Sequence, residues 1–309
     1  MTYFLRGTLV SLAMFFLVYV VLSIVVALGW RAVRNRHRIM GADLLFGMRM
    51  FPFASALAAV ALLIVPSFLY LEPLRNDEAV GISATVLACG GIVVLVYGSL
   101  SALWAWWNTF RFASSCENGR QCRLESGILA VEISAPGPVF LVAGIWSPTF
   151  FISRQARELL DVREMQVAIR HERAHVKFRD NLKKLLLRLC RFPFLSELER
   201  SWVQAAELAA DDAAAQDESS ALDLASALLK IASGPLPGQM PPVAMNLVRL
   251  SDSALRARVE RLLAWQPRTD GGARRFHPGP MTVLLLALLI ATYLPLLGQI
   301  HELTEMLVR

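Results

Sequence analysis

Four long uncharged apolar runs limit what this chain can become. Residues 8–29, 51–71, 79–107 and 279–300 contain no Asp, Glu, Lys or Arg. Each reaches the roughly 20 residues that a helix needs to cross a bilayer. Lipid offers no hydrogen-bond partners to a backbone, so such runs must be helical. The composition agrees: 55% hydrophobic and only 18% charged. The first run is too long for a signal-peptide core, and no small-residue cleavage site follows before Trp30 and the arginines beyond it, so it reads as a retained span. Pro66 should kink the second run, and Trp104, Trp106 and Trp107 should anchor the third at an interface.

The arginines set the expected orientation. Arg31, Arg34, Arg36, Arg38 and Arg49 lie between the first two spans. Arg111, Arg120 and Arg123 follow the third, and Arg268, Arg274 and Arg275 precede the fourth. The opposite side carries Arg6, Arg75 and Arg309. Cationic loops stay cytoplasmic. Residues 108–278 are therefore expected in the cytoplasm, with both termini extracytoplasmic, in a bacterial inner membrane. Topology and anionic lipid then account for the net charge of +6, and no direct nucleic-acid partner is implied. Cys89, Cys116, Cys122 and Cys190 form no C-x-x-C pair, and no close ligands accompany Cys116 and Cys122. The sequence leaves the oligomeric state open.

Within the polar region, His171-Glu172-Arg173-Ala174-His175 is an H-E-x-x-H motif in a helical-looking stretch. Positions four apart share a helix face, so His171 and His175 can offer two imidazoles to one metal ion. Zinc fits, one ion per chain, with Glu172 as the general base and acid of a hydrolysis. The helix is expected from about residue 163 to 189. Ser196-Glu197-Leu198-Glu199 reads as a capping box that opens the next, alanine-rich helix. On that helix Glu207 and Asp211 share a face, Glu207 as a third metal ligand and Asp211 accepting the N–H of a metal-bound imidazole. His37, His277 and His301 lie at expected membrane edges and read as interfacial. Strands are expected over residues 127–134, 139–142 and 149–153, the last two as a hairpin. That sheet either packs on the helices or offers an edge for an extended peptide. Residues 233–246 read as a linker or a lid, and residues 253–265 as an amphipathic helix.

Taken together, these pieces resemble the membrane metallopeptidases typified by the β-lactam sensor-transducers BlaR and MecR. The resemblance rests on the run from His171 through Asp180-Asn181, on the E-x-x-x-D helix at Glu207 to Asp211, on the Arg258 to Leu262 helix and on the segment 144–153. It implies a mainly α membrane protein with four transmembrane helices and a cytoplasmic α+β zincin-like domain, residues 108–278, inserted between helices three and four. A short tail, residues 301–309, would follow the last span. It also implies a gluzincin-type endopeptidase that cuts a cytosolic protein, such as a transcriptional repressor, or itself. Asp180 and Arg258 would support the site, and Thr149, Phe150, Phe151 and Ile152 would form a substrate-binding edge strand. The penicillin-binding sensor that follows the fourth span in BlaR and MecR has no counterpart in residues 301–309. The alternatives are a housekeeping membrane protease of the HtpX/CAAX type and a catalytically silent signalling scaffold.

Overall fold

The computed structural model describes residues 3–34, 40–73, 80–116, 120–124, 127–234, 245–246, 252–266, 293, 295, 297–302 and 304–306. Among them three helices are long and apolar enough to cross a membrane: Tyr3–Val33, Ala42–Leu71 and Ile82–Ser115. We label them α1 (Tyr3–Val33), α2 (Ala42–Ala59) continued by α3 (Val65–Leu71), and α4 (Ile82–Ser115). Most of the expected fourth span, most of the 233–246 loop, His37 and His277 lie outside the described residues.

A π-helical turn, Val60–Ile64, joins α2 to α3 just ahead of Pro66. Pro66 has no N–H for the Leu62 carbonyl, and its ring crowds that carbonyl. The wider turn accommodates the ring, and the Tyr293 hydroxyl donates to the Leu62 oxygen at 2.6 Å. The second helix begins at Ala42 rather than near residue 51, which corrects the expected loop. Arg49 therefore sits inside a helix, fully buried. It is tolerated there because protein covers it: its Nη2 donates to the Cys190 carbonyl at 2.7 Å.

The third helix runs eight residues past Trp107, to Ser115. Its last turns cover one face of a five-stranded sheet, ordered β1-β2-β4-β3-β5. The strands are β1 (Gln121–Arg123), β2 (Leu129–Ile133), β3 (Phe140–Ala143), β4 (Thr149–Ser153) and β5 (Met245–Asn246). Alternation sorts the side chains. Val139, Leu141, Ala143 and Phe151 face Phe112 and Ala113 of α4. Phe140, Ile152 and Ala130 face the helices on the other side. Burial on both faces explains why β3 is apolar throughout. β3 and β4 form the expected antiparallel hairpin, and β2 joins β4 in parallel.

This order corrects one expectation. β4, with Thr149, Phe150, Phe151 and Ile152, lies between β2 and β3 and is not an edge. Its backbone groups are already paired on both sides, so it cannot accept a further strand. On that side β3 comes next, and its Leu141 and Val142 pair in turn with the two-residue β5, the outermost described strand.

Six further helices follow: α5 (Arg154–Leu159), α6 (Val162–Lys177), α7 (Asp180–Leu189), α8 (Ser196–Ala214), α9 (Glu218–Ala232) and α10 (Asp252–Leu263). α6 opens on a capping box between Asp161 and Glu164. Ser196 does not cap α8. A 3-10 turn, Pro193–Leu195, feeds directly into the helix, so Ser196 is already helical and no side chain caps the end. Trp30 of α1 and Leu45 of α2 share one buried cluster with Leu187, Leu198 and Trp202. That cluster seats α7 and α8 on the membrane helices. α7 also crosses α4 at Gly98, where a Cβ would run into the Leu189 carbonyl.

Gly98→Ala should therefore lower the stability of the detergent-solubilised protein by about 1–3 kcal/mol through overpacking. Gly47→Ala, on an exposed helix face with nothing within 4 Å, should be neutral or slightly stabilising. Thermal melts of the two variants check this.

Candidate metal centre

α6 buries the face that carries the motif and leaves Arg173 in solvent. His171, Glu172 and His175 are all buried on that face. α6 stops at Lys177 because Arg179 adopts a left-handed conformation, φ 56° and ψ 37°. The single helix expected over residues 163–189 is thus two. The break has a structural use. On an unbroken helix the fifth residue beyond His175 would lie about 140° away around the axis. After the turn, Asp180 starts α7 and its carboxylate accepts from His175 Nδ1 at 2.8 Å. With its proton held on Nδ1, His175 presents the Nε2 lone pair inward.

The α8 helix supplies the opposing wall. Ala206, Ala210 and Ala214 are buried and let α8 approach closely. Between them Glu207 and Asp211 point at the motif. Asp211 Oδ1 is 3.0 Å from His171 Nδ1. The Glu207 oxygens are 3.6 Å from His171 Nε2 and 3.8 Å from His175 Nε2. The two Nε2 atoms are 3.1 Å apart. His171, His175 and Glu207 offer ligand atoms that all lie within 4.8 Å of one another.

Arg258 on α10 closes the cluster. Its Nε and Nη2 grip both oxygens of Asp211 at 2.8 and 2.7 Å. Its Nη1 lies 3.0 Å from Glu207 Oε2. Asn181 is a residue whose role the sequence pattern did not reveal. Its Nδ2 donates to the Gly144 carbonyl at 3.0 Å and the Val142 carbonyl at 3.3 Å, tying the end of β3 to α7. Gly144 sits at φ +106°, a conformation that glycine suits. The only signal for Asn181 was its place directly after Asp180.

Glu172 faces the Val142 backbone, and neither carboxylate oxygen has a well-formed hydrogen bond among the described residues. Burial pushes its carboxyl up to about 8, although His171 pulls the other way. For His171, burial favours the neutral ring. The Asp211 and Glu207 carboxylates outweigh it and hold the imidazolium up to about 9. Burial lowers His175. It disfavours the Glu207 and Asp211 carboxylates too, but Arg258 and His171 more than compensate and keep both low.

These residues fit a divalent cation on donor chemistry and on charge. Two ligands of a tetrahedral zinc, each about 2.0–2.1 Å away, are separated by about 3.3 Å, close to the observed spacing of the imidazole nitrogens. Among the described residues four buried acids (Glu172, Asp180, Glu207 and Asp211) face two cations, Arg258 and Lys183. A dication makes up the difference. Without it, protons on Glu172 and His171 serve. The three residues of the donor set come from α6 and α8.

The sequence profile of the BlaR1 peptidase M56 family matches residues 6–262. The chain belongs to this family of peptidases. No curated protein matches it.

Arg258→Met should leave Glu207 and Asp211 without their cation. A loss of about 3–5 kcal/mol in the metal-free protein is expected, measured as a lowered thermal midpoint in detergent. A midpoint within a degree of wild type would show that Arg258 is not the balancing charge.

Proposed function

We propose that this protein is a zinc-dependent endopeptidase. Its active site faces the cytoplasm, and it hydrolyses a peptide bond in a cytosolic protein, such as a transcriptional repressor, or in itself, as part of a signalling response. The convergence of His171 Nε2, His175 Nε2 and Glu207 beside a buried Glu172 carries the reading. Family membership supports a peptidase, and the three apolar helices support membrane insertion. The arginine distribution supports the orientation and a domain inserted ahead of a fourth span.

His171, His175 and Glu207 would hold the zinc, with Asp211 and Asp180 orienting the two imidazoles and Arg258 fixing both carboxylates of α8. Bound there, zinc supplies Lewis acidity, acidifying water and polarising a peptide carbonyl. Glu172 takes the proton from the attacking water on its carboxylate. It then delivers that proton to the departing amine nitrogen. With that charge in place Glu172 would be ionised at neutral pH, although burial alone pushes its carboxyl up to about 8.

Glu172→Gln should leave zinc content intact and reduce cleavage of a substrate by about 10²–10⁴-fold. Zinc loss in that variant would make Glu172 a ligand instead of the base. Zinc uptake should also depend on pH. Metal-free His171 and Glu172 hold protons up to about 9 and about 8, and zinc must displace both. Binding at pH 7 should release about two protons, so apparent affinity should climb with pH until about pH 9. Calorimetry in buffers of different ionisation enthalpy reads this directly. Zero release would mean that the ligand set differs from the one proposed.

A further inference from the structure

The far end of the helix bundle carries a second cluster of metal-ligating side chains. The α2–α3 rod starts beside α7, where Asp43 accepts from Lys183 Nζ at 2.8 Å. About 45 Å along it, Glu72 ends the rod as its C-cap. The Glu72 carboxylate is buried. One oxygen lies 2.9 Å from Arg6 Nη1 of α1, and the other faces His301 Nε2 at 3.8 Å. Glu305, one turn beyond His301, places Oε1 3.7 Å from the same Nε2. The ligand atoms of Glu72, His301 and Glu305 all lie within 4.8 Å of one another.

The segment bearing His301 is held against the rod. Ser67 Oγ donates to the Leu297 carbonyl at 3.2 Å. Ile300 packs on the cluster of Val10, Ala13, Ile64, Ala84 and Ala88. The cluster is therefore built from three separate stretches of chain.

We propose that Glu72, His301 and Glu305 bind a divalent transition-metal ion of the zinc class. His301 is too far from either carboxylate to hydrogen-bond with it, yet all three groups surround a common point. Closing the two gaps to His301 by about half an ångström gives the ligand spacing of a tetrahedral ion. An imidazole nitrogen with two carboxylates selects zinc-like ions over magnesium or calcium, which take oxygen ligands. Glu72 forms a buried floor, while His301 and Glu305 are partly exposed at the rim, which leaves an entry path. An ion there would pin the segment around residues 297–306 to α1 and α3 at the end of the bundle remote from the peptidase motif. In the proposed orientation that end is extracytoplasmic. The site stands independently of the proposed hydrolysis.

The test is zinc stoichiometry of the full chain in detergent, stripped with chelator and titrated with Zn2+ in excess Mg2+. A His171→Ala/His175→Ala background isolates the second site. That background should bind about one zinc per chain. His301→Gln or the more exposed Glu305→Gln, added to it, should weaken binding at least tenfold. Wild type should bind about two, and His301→Gln alone about one. Unchanged stoichiometry and affinity in both variants would overturn the site, as would a background that binds none, or competition by Mg2+. One zinc in wild type that survives the double-histidine change but not His301→Gln would keep this site and reject the proposed peptidase centre. Retained chromatographic profile and helicity guard against simple unfolding.

Discussion

Burying four carboxylates in one place is the physical problem around which the peptidase half is built. Glu172, Asp180, Glu207 and Asp211 are all nearly inaccessible. An unpaired charge in such surroundings costs several kcal/mol, so each acid needs a cation or a proton. Arg258 meets two of them, gripping Asp211 with Nε and Nη2 and Glu207 with Nη1, and its planar fork suits the task in a way a lysine would not. Several features follow. α8 must be alanine-rich so that its acids reach α6. α10 must fold back over α8 to bring the guanidinium in. The remaining charge deficit calls for a divalent ion, or for the protons that occupy its place.

The α7 helix links this cluster to the membrane helices. Its first residue, Asp180, orients His175. At its far end the Cys190 carbonyl accepts from Arg49 at 2.7 Å and from the Tyr19 hydroxyl at 2.8 Å. A cation at a helix C-terminus also satisfies the helix dipole. Gly98 lets the same end sit directly on α4. A ten-residue rod thus has the carboxylate that holds the His175 ring at one end and contacts from three apolar helices at the other. Movement among those helices has a short mechanical path to His175.

Much of this was legible in the sequence because it rests on local rules. Uncharged runs of span length can only be helices in lipid. The spacing of His171 and His175, and of Glu207 and Asp211, places each pair on one helix face. Alternation identified the β3–β4 hairpin. Other features had no local signature. The left-handed turn at Arg179 falls in a stretch whose apolar positions continue the helical period, so the pattern ran straight through it. Arg49 looked like a loop arginine because charge is the only cue available before one knows that Tyr19 and Cys190 surround it. Ser196 had a capping pattern, but the preceding 3-10 turn drew it inside the helix.

Strand order shows the same division. The hydrophobic pattern of Thr149 to Ile152 identifies a strand, but it does not say which neighbours pair with it. β2 reaches β4 across a stretch that includes the whole of β3, and only that long-range pairing makes β4 an inner strand. The sequence by itself determined the elements, the motif chemistry and which residues share a helix face, because those depend on spacing within a few turns. The tertiary structure alone decided which charges meet, where helices break and which strand edge is presented. Those outcomes come from contacts between residues tens to hundreds of positions apart, as between Arg258 and Asp211 or Tyr19 and Cys190.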